Sequence, residues 1–138
     1  MASIFSSPAF LPRVMALDAA SCALTGIVQV GFTEALAGLT GLPSALLLGT
    51  GVFLLAYAAA AGFMAWRRPV LRTLIGLVAV GNVGWALGCV ALLASGIFAV
   101  TGLGMAWVLA QAVTVVVLAE AQWMGLRATR ASTRAALA

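Results

Sequence analysis

Few side chains in this sequence could do chemistry, and three of the candidates are amides inside long apolar tracts. Gln29, Asn82 and Gln111 fall in three different tracts. At about 1.5 Å of helix rise per residue from the basic ends, Gln29 and Gln111 lie roughly 22 Å deep and Asn82 roughly 18 Å deep. The sequence therefore predicts an amide layer. It would either bind a ligand or, the interpretation we favour, join helices by hydrogen bonds.

Two carboxyl groups define a second candidate layer nearer the basic ends. Asp18 and Glu120 lie one to two helical turns inside their tracts, close to Gln122. A carboxylate buried in a bilayer costs about 2.5 to 3.5 kcal/mol at mid-helix unless it is paired. We expect Asp18 and Glu120 to form ion pairs with the flanking arginines, Arg72 or Arg127. The alternative is that Asp18 titrates as part of a proton or cation relay.

Missing residue types exclude several kinds of chemistry. The chain has no histidine and no lysine, which removes the usual general base, the common haem and copper ligands, and Schiff-base chemistry. Cys22 and Cys89 match no metal-binding spacing, and their estimated depths differ by too much for a disulfide. We therefore expect no catalytic residue, no metal and no cofactor, and predict that the protein is not an enzyme.

The composition is that of a membrane protein. Hydrophobic residues make up 64% of the chain and charged residues 7%, far below the quarter typical of soluble domains. No charged residue occurs between Glu34 and Arg67, or between Arg72 and Glu120, and each interval exceeds the roughly 20 residues that cross a bilayer. The arginines flank these apolar tracts, so nucleic acid is not an expected partner.

We predict an all-α integral membrane protein with a single domain. The bundle has four transmembrane helices over residues 14–36, 44–66, 70–94 and 103–126, followed by a basic tail, 127–138. Glycine and proline near residues 38–43 mark the first connection, the arginine cluster marks the second, and glycines near 96–104 mark the third.

The first span carries a polar stripe. Asp18, Cys22, Thr25, Gln29 and Thr33 recur every three or four residues and so share one helical face. We expect this face to pack against the other helices. The alternatives are that it lines a polar path or site, or that the helix lies flat at the membrane interface.

Small residues in the third span suggest close helix packing. Gly84 and Gly88 form a G-x-x-x-G pattern, which we interpret as a contact within the chain rather than a dimer interface. In the second span, Thr50 and Tyr57 lie seven residues apart and share a face.

Four spans place both termini and every arginine on one side. By the positive-inside rule that side is cytoplasmic, and the alanine- and arginine-rich composition suggests a bacterium. The predicted location is therefore the bacterial inner membrane.

In size and span number the chain resembles small multidrug-resistance transporters, which are dimers with an acidic residue in the first helix, as Asp18 is here. That resemblance covers the architecture alone.

The expected function is a non-catalytic structural or partner-binding role in the bilayer, with a second copy or another membrane protein as partner. The alternative is a transporter or channel subunit, working as a homo-oligomer through the polar face of the first helix. The candidate binding residues are Asp18, Gln29, Asn82, Gln111 and Glu120.

Overall fold

The protein is all-helical over residues 4–137, the part that this computed structural model describes. No strand occurs within that range, as the sequence predicts. A single 3-10 turn, Ile4–Ser6, precedes five α-helices. They are α1 (Phe10–Gly31), α2 (Thr33–Thr40), α3 (Ser44–Trp66), α4 (Arg72–Ser95) and α5 (Gly102–Ala136).

Four of these helices, all except α2, are long and apolar enough to cross a membrane. Their outward surface carries large hydrophobic side chains, such as Leu24, Phe53, Leu77 and Val113, each more than half exposed. A protein folded in water buries most such groups, because exposed apolar patches of this extent promote association. The fold is therefore consistent with a multi-pass membrane protein.

The long helices form two hairpins. Helix α1 packs along α3, with α2 in the connection between them, and α4 packs along α5. Contact between the hairpins is less extensive and is made mainly by α1 against α5. We call the end of the bundle that holds the 67–71 connection the arginine end. The other end, where Thr40 and Thr101 lie, is the threonine end.

The first span differs from the predicted 14–36. Helix α1 begins four residues earlier, at Phe10, because Pro12 is tolerated in a first turn where backbone N–H groups have no helical acceptor. It ends at Gly31, and Phe32 (φ −127°, ψ 32°) turns the chain into α2. Ser44 Oγ then donates to Glu34 Oε2 at 3.1 Å, which closes the first hairpin.

The other spans agree more closely with the sequence prediction. Helix α3 coincides with the predicted 44–66, and α4 begins at Arg72, after a connection that contains a cis peptide bond at Pro69. Helix α5 runs ten residues past the predicted end at 126, to Ala136. Alanine and arginine favour helix, so the predicted basic tail continues α5 through this range.

The two hairpins are joined at the threonine end by backbone contacts. Thr101 donates from its backbone N–H to the carbonyl oxygen of Thr40 at 2.9 Å, and its hydroxyl donates to the carbonyl oxygen of Leu39 at 2.6 Å. Gly104 packs directly on this contact. A methyl group placed on its Cα would lie 2.1 Å from the Thr40 carbonyl oxygen.

The interpretation of the G-x-x-x-G pattern as an internal contact is wrong. A methyl group placed on Gly84 or Gly88 would meet no described atom within 4 Å, so neither glycine provides a close helix contact within the chain. The close approach of α1 to α3 instead uses Gly26 and Gly51. A methyl group on Gly26 would lie 2.9 Å from the Gly51 carbonyl oxygen.

Two glycine-to-alanine variants test this packing. Gly104→Ala should lower the free energy of unfolding by about 1 to 3 kcal/mol, because the new methyl group must displace the backbone at Thr40. Gly88→Ala, the matched control, should leave it unchanged or raise it by up to about 1 kcal/mol through helix propensity. Unfolding in detergent micelles measures both, and equal effects would contradict the assignment.

Candidate functional site

The side chain of Asp18 is fully buried, with 0% of its surface exposed. It lies on the polar stripe of α1, eight residues after the helix begins, which corresponds to roughly 12 Å of helix rise. A carboxyl group in such a position requires hydrogen-bond partners, because burial without them is costly. The partners that it has define the candidate site.

Four side chains donate hydrogen bonds to the Asp18 carboxyl group. Gln122 Nε2, Asn82 Nδ2 and Tyr57 Oη contact Oδ2 at 2.7, 2.9 and 3.3 Å. Cys22 Sγ contacts Oδ1 at 3.6 Å. These donors come from α5, α4, α3 and α1, so each long helix contributes one. We call these five residues the Asp18 cluster.

The members of the cluster also contact one another and their apolar surroundings. Asn82 Nδ2 lies 3.4 Å from Gln122 Oε1, and Gln122 Nε2 lies 3.5 Å from Met15 Sδ. Towards the arginine end, the core around Met15 and Ile75 covers the cluster, and both residues are fully buried. The cluster is therefore a small polar network enclosed by hydrophobic side chains.

The predicted ion pair between Asp18 and an arginine is wrong. Among residues 4–137, every hydrogen-bond donor to the Asp18 carboxyl group is uncharged. Arg72 instead donates to Thr129 Oγ1 and to the Leu126 carbonyl oxygen. The guanidinium group of Arg127 lies 5.6 Å above the Trp123 ring.

The early start of α1 explains this error. If the helix began at residue 14, Asp18 would lie about one turn inside it, beside the flanking arginines. Because α1 begins at Phe10, Asp18 lies one turn further from the arginine end. At that depth it is level with Asn82, which lies ten residues into α4, or roughly 15 Å. The arginines stay at the arginine end.

The predicted amide layer forms only in part. Asn82 belongs to the Asp18 cluster, whereas Gln29 lies nearer the threonine end and accepts a hydrogen bond from Thr50 Oγ1 at 3.2 Å. Gln29 and Gln111 line the same cavity. Two of the three amides are thus neighbours, and the third bonds to the aspartate.

Glu120 lies apart from Asp18, although the sequence predicts that the two share a layer, and among residues 4–137 its predicted ion pair with an arginine does not form. It is exposed on the outer surface of α5, in a groove between α4 and α5 lined by Val80, Val83, Val116 and Trp123. The α5 residue that reaches Asp18 is Gln122, two positions further along the helix. Two positions correspond to about half a turn, which separates the outward from the inward face.

The sequence alone did not identify Tyr57 and Cys22 as site residues. The shared face of Thr50 and Tyr57 is a usable signal, since Thr50 contacts Gln29 and Tyr57 contacts Asp18 on the same stripe of α1.

Both cysteines are free thiols. Over residues 4–137, no group of three or more histidine, cysteine, aspartate or glutamate side chains could hold a metal ion.

A pair of double-mutant cycles tests the cluster. Asn82→Leu and Gln122→Leu should be non-additive by about 0.6 to 1.7 kcal/mol in unfolding free energy, because both residues bond to Asp18 Oδ2. Asn82→Leu and Gln111→Leu should add within about 0.5 kcal/mol, because they share no partner. Coupling in the second cycle with additivity in the first would restore the amide layer and contradict the cluster.

The chain matches no protein-family model, no curated protein and no solved structure. A function can therefore be inferred from the residues of this chain alone. The feature that any function must accommodate is a fully buried carboxyl group with uncharged donors from all four long helices.

Proposed function

We propose that this chain is a small, non-catalytic protein of the bacterial inner membrane, with both termini in the cytoplasm, that binds a partner within the bilayer. Four helices of sufficient length and hydropathy support the placement in a membrane. All seven basic residues are arginines, and they lie in the first turn of α1, between residue 67 and the start of α4 at residue 72, and in the last third of α5. Such one-sided charge is typical of a cytoplasmic face.

The observation that carries the structural part of this proposal is the Asp18 cluster. Its hydrogen bonds link α1 and α3 of the first hairpin to α4 and α5 of the second. Asp18 itself is completely buried and lines none of the described cavities. A buried carboxyl group that accepts hydrogen bonds from every long helix is suited to fixing the arrangement of a scaffold.

Glu120 supports the partner-binding part. In a bilayer this carboxyl group would face lipid at about the depth of Asn82, where an unpaired charge costs about 2.5 to 3.5 kcal/mol. A helix of a partner protein that offers a hydrogen-bond donor would remove that cost. We infer that the groove between α4 and α5 is the partner-binding face.

The second candidate function is a transporter or channel subunit. One observation favours it: among residues 4–137 no arginine pairs with Asp18, so the carboxyl group is not held in a structural ion pair there. Buried ionisable groups that lack a charged partner occur in proton and cation pathways. The two functions differ in whether the protein moves ions.

Cysteine labelling tests the topology. In a Cys22→Ser, Cys89→Ala background, which keeps a donor near Asp18, Ile97→Cys and Gly38→Cys should react in intact cells with a membrane-impermeant thiol reagent. Both positions are exposed towards the threonine end. Ala131→Cys, exposed on α5 beyond the arginine end, should react only after lysis. Labelling of Ala131→Cys in intact cells would reverse the proposed orientation.

A flux assay separates the two functions. Vesicles that contain the unmutated protein should conduct protons and monovalent cations no faster than empty vesicles. Asp18→Asn should stay folded with a loss of about 1 kcal/mol in unfolding free energy, because an amide oxygen can replace Oδ2 as the acceptor of the bonds from Gln122, Asn82 and Tyr57. Glu120→Gln is the matched control, a carboxyl-to-amide change on the outer surface.

The opposite result would identify a transporter. Flux through the unmutated protein that disappears in folded Asp18→Asn and persists in Glu120→Gln would replace the scaffold role with ion movement through Asp18.

A further inference from the structure

We propose that the cavity between the two hairpins binds a flat, uncharged, lipophilic molecule through a carbonyl oxygen. The cavity consists of two adjoining pockets of about 250 and 390 Å³ that meet at Trp85 and Gln111. Volumes of this size suit small organic ligands. This inference rests on the membrane placement proposed above but not on any role of Asp18.

The position of the cavity indicates how a ligand enters. The Asp18 cluster closes the bundle on the arginine side, and the contact between Thr40 and Thr101 joins the hairpins at the threonine end. Between α3 and α4, the wall of the larger pocket includes Gly84 and Gly88, both exposed. A side opening that has no side-chain bulk faces the bilayer, so the ligand is one that dissolves in lipid.

Three polar side chains in the wall have hydrogen-bonding capacity left over. The indole Nε1–H of Trp107 is buried and, among residues 4–137, has no acceptor. Gln29 is 2% exposed, and its Oε1 accepts a hydrogen bond from Thr50. Its Nε2 group donates no hydrogen bond to any described residue. The amide of Gln111 makes no described hydrogen bond and lines both pockets.

These groups select a hydrogen-bond acceptor without a charge. Two of the groups can only donate, because an indole N–H is not an acceptor and the Gln29 oxygen already bonds to Thr50, whereas the Gln111 amide can donate or accept. Burying donors without acceptors is unfavourable, so a ligand oxygen with two lone pairs complements the site. In the described part of the chain no charged side chain lines either pocket, and an ionised ligand would be poorly solvated there.

The aromatic wall favours a flat molecule. Trp85 stacks on Phe53, with ring centroids 5.8 Å apart and planes inclined by 6°, and Phe53 in turn stacks on Tyr57. This stack fixes the indole of Trp85 beside the meeting point of the pockets. A planar ring with a carbonyl group can pack against it and reach the amides.

Photolabelling with benzophenone tests the proposal, because this probe is an uncharged aromatic ketone. The full-length protein in phosphatidylcholine vesicles should label saturably at residues lining the cavity in α4 or α5, as mapped by mass spectrometry. Diphenylmethane has a closely similar shape without the carbonyl oxygen and should compete at least about tenfold less well. Flotation of the protein with the vesicles checks the membrane placement separately.

Variants identify the groups that bind the oxygen. Trp107→Phe and Gln111→Leu should each weaken labelling by roughly three- to tenfold, the loss of one hydrogen bond. Trp66→Phe changes an exposed indole that lines neither pocket and should have no effect. Gln111 is partly exposed and unbonded, so its variant carries the test if Trp107→Phe does not fold.

Three outcomes would overturn the proposal while the protein still floats with the vesicles. They are labelling that does not saturate, equal competition by diphenylmethane, and unchanged labelling of folded Gln111→Leu.

Discussion

A carboxyl group enclosed among apolar side chains must find its hydrogen bonds inside the protein, and the fold depends on how Asp18 does so. Gln122, Asn82 and Tyr57 converge on one of its oxygens, and Cys22 lies near the other. Removing one member of such a network leaves the others unsatisfied in a low-dielectric interior. One acidic side chain therefore links all four long helices.

This constraint divides the bundle into regions with different properties. On the arginine side, tightly packed residues such as Met15, Ala61 and Ile75 are completely buried. On the other side, the hairpins separate around a cavity before the contact of Thr101 with Thr40 brings them together again. The close contacts at Gly26 and Gly51 hold the first hairpin together at this level. The bundle therefore has a tightly packed half on the arginine side and an open half around the cavity.

The sequence predicted the helices well, because long apolar tracts interrupted by glycine, proline and arginine leave little choice of secondary structure. It also identified Asp18, Asn82 and Gln122 as polar residues within spans. What it could not supply was their grouping. The predicted start of α1 is four residues too late, which shifts Asp18 by about one turn relative to α4. That shift makes an arginine the expected partner of Asp18, whereas the structure has Asn82 there.

Rotation about the helix axes was equally hidden from the sequence. Glu120 and Gln122 differ by two positions, and only packing decides that Gln122 points inward and Glu120 outward. The same holds for Gly84 and Gly88. Their spacing is typical of a helix contact, but among the described residues no atom of another helix lies within 4 Å of a methyl group placed on either glycine. Periodicity shows that residues share a face, whereas the partner of that face depends on the tertiary fold.

The most direct test is a solid-state NMR distance measurement in lipid bilayers, with ¹³C at Asp18 Cγ and ¹⁵N in the side chains of glutamine and arginine. We expect strong dipolar coupling between Asp18 Cγ and Gln122 Nε2, because Nε2 lies 2.7 Å from Asp18 Oδ2. This coupling should vanish in Gln122→Leu. Strong coupling to an arginine guanidinium nitrogen, with none to Gln122, would contradict this arrangement.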